Sequence, residues 1–352
     1  MTMLLEARRI TKIFGGGMFE RTATVALEDF WLAINSDWPS ITAVVGESGS
    51  GKTTLARLLL GLVTPTRGQV LYEGRDLQTM SQTDWRAFRR DVQVIFQDPY
   101  EVYNPFYRVD HVLTTPVAKF KLAGTKAEVR AVIEDVLKAV GLRPEETLGR
   151  FPHQLSGGQR QRVMVARALL LKPRLILADE PVSMVDASLR ASILGSLRKM
   201  NVERGISIVY ITHDLATAYQ ISENIVVLYR GSVAEAGDVE LVVKQPQHPY
   251  TQLLISSIPL ASAERTWTTE TVAAPAIQTA GQAGCKFADR CPSATPPCLQ
   301  AAPPLFQTDR YRAVACYLYQ SAPALSVEDM VSVFAGSGKT SPVGSGGTSM
   351  EP

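Results

Sequence analysis

The 352-residue sequence lacks long hydrophobic runs and any strong excess of one charge. No stretch approaches the roughly 18 uninterrupted apolar residues needed to span a bilayer. The N-terminal MTMLLEARRI carries charged residues where a signal peptide would be apolar. We therefore expect a cytosolic protein whose membrane spans, if it works at a membrane, belong to other subunits. The formal net charge of +2 argues against a nucleic-acid partner.

Cysteine is also scarce, and its placement is uneven. The four cysteines lie in one C-terminal segment, at Cys285, Cys291, Cys298 and Cys316. In a reducing cytosol this clustering favours a metal or cluster site over disulfides. The remaining composition, 45% hydrophobic and 20% charged, is that of a globular protein and excludes wholesale disorder.

Short apolar runs alternate with helical patterns in the first half of the chain, which predicts an α/β fold with a largely parallel sheet. Polar residues follow each run at once, as expected where the carboxyl ends of strands form a ligand site. The predicted strands are residues 41–45, 92–96, 175–178 and 208–211.

The chain divides into three predicted parts. Residues 1–245 form the main domain, with a helical insertion at about 98–160 in which Thr125 and Glu128 form a capping box and Gly141 ends a helix. A hairpin is predicted within 224–237, turning at Arg230-Gly231. Prolines and cysteines mark a second domain at 246–320, with a linker near 266–282, and we expect residues 321–352 to be disordered.

A glycine-rich loop follows the first predicted strand and precedes a helical pattern. It fits G-x-x-x-x-G-K-[ST] at Gly46, Glu47, Ser48, Gly49, Ser50, Gly51, Lys52 and Thr53. Backbone N–H groups of such a loop surround phosphate oxygens, and the helix N-terminus adds its positive dipole end. Lys52 is expected to reach the β- and γ-phosphates and Thr53 to bind Mg²⁺. The similar 336–340 in the tail lacks the first glycine, with Val333 in its place, and is interpreted as a flexible segment.

Two carboxylates end the apolar run at 175–178. Asp179 is expected to hold Mg²⁺, and Glu180 to act as general base or to position the attacking water. Acidic residues often follow strands, so the pairing with the glycine loop is what favours catalysis here.

A second glycine motif opens another helical run, at Ser156, Gly157, Gly158 and Gln159. Ser156 can cap that helix, and the glycines allow close approach to a second anion. One nucleotide needs a single glycine cradle, so the second cradle implies a further use.

With this motif, Leu155 to Gln159, the chain resembles the ATP-binding subunits of ABC transporters over residues 4–240. The resemblance implies a P-loop NTPase (RecA-like) core, an antiparallel β subdomain, a helical subdomain carrying the signature, and a small Cys-containing C-terminal extension. It also implies that the signature acts in trans, with Ser156 and Gly158 contacting the γ-phosphate of ATP on the facing subunit, and that the loop's nucleotide contacts extend to Thr54.

Other family positions carry over with the resemblance. Gln97 matches the glutamine that touches Mg²⁺ or water, and His213 matches the histidine that steadies the γ-phosphate. Asp186 matches an aspartate at the subunit interface, although Met184-Val185 replaces the usual Ala-Leu. Phe14 stands where the family stacks an aromatic on adenine.

The C-terminal segment resembles the peptide, nickel and oligosaccharide importer branch, through the run from His248-Pro249-Tyr250 to Pro259 and the four cysteines. Four thiolates can bind zinc or an iron–sulfur cluster. The cysteines are separated by five, six and seventeen residues, so the tight pair usual for zinc is missing. The resemblance implies a [4Fe–4S] cluster, with Zn²⁺ as the alternative.

These features predict an ATPase that drives solute import, most favourably of peptides, with oligosaccharide or nickel as alternatives. The expected partners are a second ATP-binding subunit, identical or related, two membrane permease subunits and, indirectly, an extracytoplasmic solute-binding protein. The chain would then lie at the cytoplasmic face of the inner membrane. A non-transport ABC ATPase is the competing hypothesis, but such proteins carry long coiled coils or two ATPase cores. A cluster-based redox sensor is a third.

Overall fold

The strands and helices follow from a computed structural model. It describes residues 2–15, 23–97, 103–183, 185–258, 283–326 and 329–334. Its strands are β1 (Met3–Phe14), β2 (Thr24–Asn35), β3 (Ile41–Val45), β4 (Arg67–Tyr72), β5 (Arg75–Asp76), β6 (Val92–Ile95), β7 (Leu175–Asp179), β8 (Ser207–Thr212), β9 (Asn224–Tyr229), β10 (Ser232–Asp238), β11 (Phe306–Asp309) and β12 (Arg312–Val314).

The helices of this part of the chain are mostly short. They are α1 (Lys52–Leu59), α2 (Gln82–Asp91), α3 (Asp110–Phe120), α4 (Lys126–Ala139), α5 (Pro144–Thr147), α6 (Gly157–Leu169), α7 (Ala187–Arg204), α8 (Leu215–Ile221), α9 (Val239–Lys244), α10 (Pro249–Ser256), α11 (Pro296–Gln300) and α12 (Met330–Val333). Single 3₁₀ turns occupy Pro152–Gln154 and Tyr317–Tyr319. No helix of the described ranges is both long and apolar enough to cross a membrane.

An eight-stranded sheet in the order β11-β12-β10-β9-β3-β8-β7-β6 forms the centre of the molecule. Strands β6, β7, β8, β3 and β9 run parallel, and β10, β12 and β11 add antiparallel pairs at one edge. The parallel strands are buried on both faces, which explains their unbroken apolar sequences. The predicted parallel α/β sheet is therefore confirmed, with each predicted strand present to within one or two residues at its ends.

The two faces of this sheet pack into separate hydrophobic cores. Ile41, Ala43 and Val45 of β3 join one core, whereas Val44 between them joins the other. This division follows from the pleat, because successive side chains of a strand point to opposite faces. The first core takes in the helical subdomain, and the second takes in the small antiparallel sheet β2-β1-β4-β5.

Local signals define the helical subdomain and the β9–β10 hairpin. The Thr125 hydroxyl accepts the N–H of Glu128 at the start of α4, and the Glu128 carboxylate accepts the N–H of Thr125, so the predicted capping box is present. Gly141 follows the end of α4 with φ 72°. The hairpin turns at Arg230 and Gly231, whose φ angles of 44° and 83° are those of a tight primed turn.

The C-terminal segment is joined to the main sheet. Strand β12 pairs antiparallel with β10, and β11 pairs with β12, so residues 306–314 continue the sheet formed by residues 41–238. The division at about residue 245 stays a prediction of sequence composition. The predicted linker at 266–282 and the segment 336–340 lie outside the described residues.

Within the segment 321–352, for which disorder is predicted, the structure describes residues 321–326 and 329–334, and the rest lies outside the described residues. Helix α12 packs against β2, with Met330 2% and Val333 1% exposed. Phe334 stacks on Trp31 at 6.4 Å between ring centroids. Met330 and Val333 lie one helical turn apart and bury their side chains against a hydrophobic surface. The polar sequence around them does not predict this packing.

Candidate functional site

The glycine loop lies between β3 and α1, where two neighbouring backbones leave no room for side chains. A Cβ atom on Gly46 would lie 2.2 Å from the carbonyl oxygen of Leu228, and one on Gly51 would lie 2.4 Å from that of Ala26. Gly51 also has φ 104°. These two positions therefore require glycine for steric reasons, and they fix the loop against β2 and β9.

The Lys52 ammonium is held inside the loop. Its Nζ donates to the carbonyl oxygens of Gly46 at 2.7 Å and Glu47 at 2.9 Å, with Ser50 Oγ at 3.4 Å. Burial lowers the pKa of Lys52, and the nearby carboxylates of Glu180 and Asp179 oppose that shift. Thr53 and the loop residues Ser48 and Gly49 are exposed, while Thr54 is half-buried.

Asp179 and Glu180 stand at the end of β7, as predicted. Burial and the adjacent Glu180 raise the pKa of Asp179 to about 6, although Lys52 and Arg57 oppose the shift. Glu180 leaves the strand with φ 45°, a left-handed conformation that is unusual for a non-glycine residue, and its N–H donates to the carbonyl oxygen of Ile211. Such strain at the end of a strand is typical of functional positions.

Two other predicted site residues contact the Glu180 carboxylate. Gln97 Nε2 donates to Glu180 Oε2 at 3.2 Å, and His213 Nδ1 lies 3.0 Å from Glu180 Oε1. Gln97 follows β6, Glu180 follows β7 and His213 follows β8. The three residues of the cluster therefore come from the ends of three adjacent parallel strands. The Glu180 side chain is 15% exposed and that of His213 57%, so the cluster opens to solvent. A water molecule can reach a carboxylate placed in this way.

The residues predicted to hold Mg²⁺ form a chemically suitable set. Thr53 offers a hydroxyl oxygen, Gln97 an amide oxygen and Asp179 a carboxylate, and Mg²⁺ prefers oxygen ligands. Asp179 is 7% exposed, and a cation beside it would offset the cost of burying its charge. The residues present fit this ion.

The signature motif lies at the start of α6. Ser156 Oγ accepts the N–H of Gln159 at 3.2 Å, and Gln159 Oε1 accepts the N–H of Ser156 at 2.9 Å, which makes a second capping box. A Cβ on Gly158 would lie 2.5 Å from a terminal methyl group of Leu189, so glycine lets the start of α6 pack closely against α7. Gly157 is the first residue of the helix.

Two further predicted residues lie exposed at the ends of elements. Asp186 occupies the N-cap position of α7 without a side-chain capping hydrogen bond, and Met184, two residues before it, lies outside the described residues. Phe14 ends β1 and is 42% exposed, with the Lys12 ammonium 5.0 Å from its ring centroid. Among the residues that the structure describes, none covers the Phe14 ring fully, so a planar group could stack on it.

The prediction of an iron–sulfur cluster is wrong. The four cysteines line a cavity of about 260 Å³. Nowhere in the described ranges, however, do three His, Cys, Asp or Glu side chains form a group able to hold a metal ion. Burial raises the pKa of Cys285 and Cys291, and that of Cys316 to about 11. The zinc alternative fails for the same lack of a ligand group in the described residues.

Sequence reasoning missed a set of contacts from the C-terminal segment to the glycine loop. The N–H of Glu47 donates to Tyr250 Oη at 2.9 Å, and the Glu47 carboxylate pairs with Arg290 at 3.1 Å. Tyr250 belongs to the His-Pro-Tyr run, which by itself indicates only a family resemblance. No signal in the sequence links Arg290 to the loop.

Comparison with known proteins places this fold and site in a family. Residues 32–183 match the model of the ABC transporter family, and residues 234–298 match that of the oligopeptide/dipeptide transporter C-terminal region. The chain is 39% identical over 276 residues to the oligopeptide transport ATP-binding protein OppF of Escherichia coli K12, which covers 78% of this chain and 82% of that protein. It is 37% identical over 276 residues to the protein of the same name from Haemophilus influenzae, covering 78% and 83%.

The fold is also similar to a solved dimeric ATP-binding cassette in a post-hydrolysis state bound to ADP and phosphate. The TM-score is 0.59 at 30% identity, over 67% of this chain and 98% of that chain. A P-loop between a parallel strand and a helix, with acidic residues at the end of another parallel strand of the same sheet, defines a nucleoside triphosphatase. The chain belongs to the ABC transporter family and is an ATP-hydrolysing, ATP-binding subunit.

Proposed function

We propose that this ATPase powers the import of peptides through partner membrane permease subunits. The convergence of Gln97 and His213 on the Glu180 carboxylate is the observation that carries the catalytic assignment. The match of residues 234–298 to the oligopeptide/dipeptide C-terminal region supports peptides as the solute over oligosaccharide or nickel.

Hydrolysis follows from the positions of these groups. The loop N–H groups, the N-terminus of α1 and the Lys52 ammonium bind the β- and γ-phosphates. Glu180 takes a proton from the water whose oxygen attacks the γ-phosphorus, while the bond to the β–γ bridging oxygen breaks and ADP leaves. Gln97 and His213 orient the Glu180 carboxylate and the attacking water toward the γ-phosphorus. Thr53, Gln97 and Asp179 would hold Mg²⁺, which neutralises phosphate charge when bound.

The signature motif completes the site in a dimer. Ser156 and Gly158 at the start of α6 face the γ-phosphate held by a second subunit, identical or related, and Asp186 lies at the same interface. Phe14 stacks on the adenine. Closure around ATP draws the helical subdomains together and moves the permeases, and hydrolysis with charge repulsion reopens the dimer. The solved relative that is dimeric with ADP and phosphate supports this arrangement.

In this proposal the subunit binds two permease subunits at the cytoplasmic face of the inner membrane. A solute-binding protein on the other side delivers peptide and acts on the ATPase only through the permeases. The longest helix in the described ranges spans 18 residues, which offers no coiled-coil arm of the kind that non-transport ABC ATPases carry.

ATP binding is tested with a matched pair of lysine variants. Lys52→Met removes the ammonium inside the loop and is expected to weaken ATP binding more than tenfold, measured by calorimetry, and to abolish hydrolysis. Lys199→Met removes an exposed ammonium on α7 and should leave both unchanged. Equal ATP binding by Lys52→Met and the unaltered chain would exclude the loop as the phosphate site.

The solute is tested in proteoliposomes that contain the permeases, with hydrolysis measured as each candidate is added with its binding protein. Stimulation by peptides, and none by oligosaccharides or nickel, is the expected result. Stimulation by either alternative alone would reassign the solute and leave the ATPase assignment intact.

A further inference from the structure

The His-Pro-Tyr turn at the start of α10 is rigidly held. His248 is 3% exposed, and its Nδ1 accepts the N–H of Tyr250 at 3.0 Å. Glu235, fully buried on β10, accepts the N–H of His248 at 2.9 Å and that of Gln247 at 3.2 Å. Burial lowers the pKa of His248 to about 4, so the ring is neutral and can accept a hydrogen bond at physiological pH. The turn therefore fixes the direction in which Tyr250 points.

Tyr250 joins this turn to the glycine loop. Its side chain is fully buried, and its ring packs at 4.4 Å from that of Tyr229 and 5.6 Å from that of Phe287. Its hydroxyl oxygen accepts the backbone N–H of Glu47 at 2.9 Å. The aromatic packing holds the ring in this orientation, so the hydrogen bond fixes the position of the Glu47 backbone near the start of the loop.

Arg290 holds the same loop residue through its side chain. Its Nη1 lies 3.1 Å from Glu47 Oε2, and its Nη2 lies 3.4 Å from Oε1. The guanidinium also donates to Tyr229 Oη at 3.3 Å and lies over the Phe287 ring at 5.6 Å. These contacts orient the planar guanidinium for a two-pronged pair with the carboxylate.

The segment that carries Arg290 is itself attached to the main sheet. Lys286 pairs with Glu28 of β2 at 2.6 Å, and Asp289 pairs with Arg230 of the hairpin turn at 3.0 Å. Arg290 therefore approaches Glu47 from an anchored segment.

Glu47 connects these contacts to the ammonium of Lys52. The Glu47 carbonyl oxygen accepts from Lys52 Nζ at 2.9 Å, while its N–H is bound to Tyr250 and its carboxylate to Arg290. A displacement of Glu47 would therefore displace one of the two carbonyls that hold the ammonium. We propose that Tyr250 and Arg290 are positioning residues for the phosphate loop, through which the C-terminal extension sets the affinity for ATP. This inference rests on the proposed binding of ATP phosphates by residues 46–53.

The test of the first contact removes one hydroxyl. Tyr250→Phe keeps the ring packing and leaves the Glu47 N–H without its acceptor, and we expect the Kd for ATP to rise about three- to tenfold with kcat changed less than twofold. Tyr317→Phe is the matched control, because the Tyr317 hydroxyl donates to the Ala301 carbonyl in the same extension and not to a residue of the loop. A purely structural role would lower Tm and the active fraction while leaving the Kd unchanged.

The second contact is tested through the charge pair. Arg290→Gln is expected to raise the Kd for ATP about two- to fivefold, because the pair is partly exposed, and Arg290→Lys should restore part of the loss. Adding Glu47→Gln to Arg290→Gln should change the Kd no further, since the partner is already gone. Arg310→Lys is the control. The Arg290 variants also carry the test if Tyr250→Phe does not fold.

The outcomes separate this inference from the proposed function. If the unaltered chain binds ATP and Lys52→Met does not, while Tyr250→Phe and Arg290→Gln bind as tightly as the unaltered chain, the positioning role is refuted. If the unaltered chain and Lys52→Met bind ATP equally, the loop assignment fails first. A raised Kd in both positioning variants, with kcat preserved and the controls unchanged, establishes the extension as part of the nucleotide site.

Discussion

Replacing Glu180 with glutamine is expected to separate ATP binding from ATP hydrolysis. The substitution keeps the length and shape of the side chain, so the amide oxygen can still accept from Gln97 Nε2, now 3.2 Å from Glu180 Oε2. The His213 ring, 3.0 Å from Oε1, can accept from the new amide nitrogen. The amide cannot take a proton from water, so basicity is the property that is lost.

The size of the effect follows from that loss. General acid–base catalysis contributes about 10²- to 10⁴-fold, which corresponds to about 3–5 kcal/mol of barrier. We expect the hydrolysis rate at saturating ATP to fall by that factor while the Kd for ATP stays within about threefold. The free energy of unfolding should change by less than about 0.5 kcal/mol, because the left-handed backbone at position 180 is kept.

The assay compares steady-state phosphate release, ATP binding and oligomeric state. With ATP bound and not hydrolysed, Glu180→Gln should accumulate as a dimer by light scattering. Glu203→Gln, on the exposed face of α7, is the control and should hydrolyse at the unaltered rate. Hydrolysis by Glu180→Gln within tenfold of the unaltered chain would remove Glu180 from the role of general base.

Three other predictions follow from burial and steric fit. Burial raises the pKa of Asp179 to about 6, so its ionisation costs stability above that pH; without Mg²⁺, Asp179→Asn should raise the free energy of unfolding at pH 7.5 by about 1–2 kcal/mol. In urea titrations that gain should shrink as the pH falls towards 4, and a constant gain would contradict the raised pKa. Gly46→Ala sets a Cβ 2.2 Å from the Leu228 carbonyl and should abolish ATP binding and cost about 1–3 kcal/mol, whereas Gly195→Ala in open space on α7 should be neutral or stabilising by calorimetry. Met330→Ala should lower the free energy of unfolding by about 2–3 kcal/mol in urea, and no change would mean that α12 is not docked.

Features that depend on a few consecutive residues were predictable. The capping box at Thr125 needs a partner three residues away, and the turn at Arg230-Gly231 needs two residues that accept positive φ. The glycine loop is also local, because its strand, glycines and helix start are contiguous. The residues that follow β6, β7 and β8 could be assigned to one edge, since the carboxyl ends of parallel strands meet there.

The cysteine segment shows where sequence spacing fails. Four cysteines within 32 residues suggest convergence, and they do line one cavity. Whether three sulfurs meet at one point depends on the path of the backbone, which cannot be deduced from the spacing. In the described residues no three potential ligands meet to form a metal site.

The sequence alone determined that this chain is an ATPase and predicted the elements of its site: a phosphate loop, a carboxylate pair and a signature helix, each encoded by neighbouring residues with local conformational preferences. Only the tertiary structure decided that Tyr250 and Arg290 hold Glu47, from 203 and 243 residues away, and that Met330 and Val333 dock on β2. The physical reason is that side-chain contacts between distant segments depend on how the sheet brings those segments together, and no local preference encodes that distance.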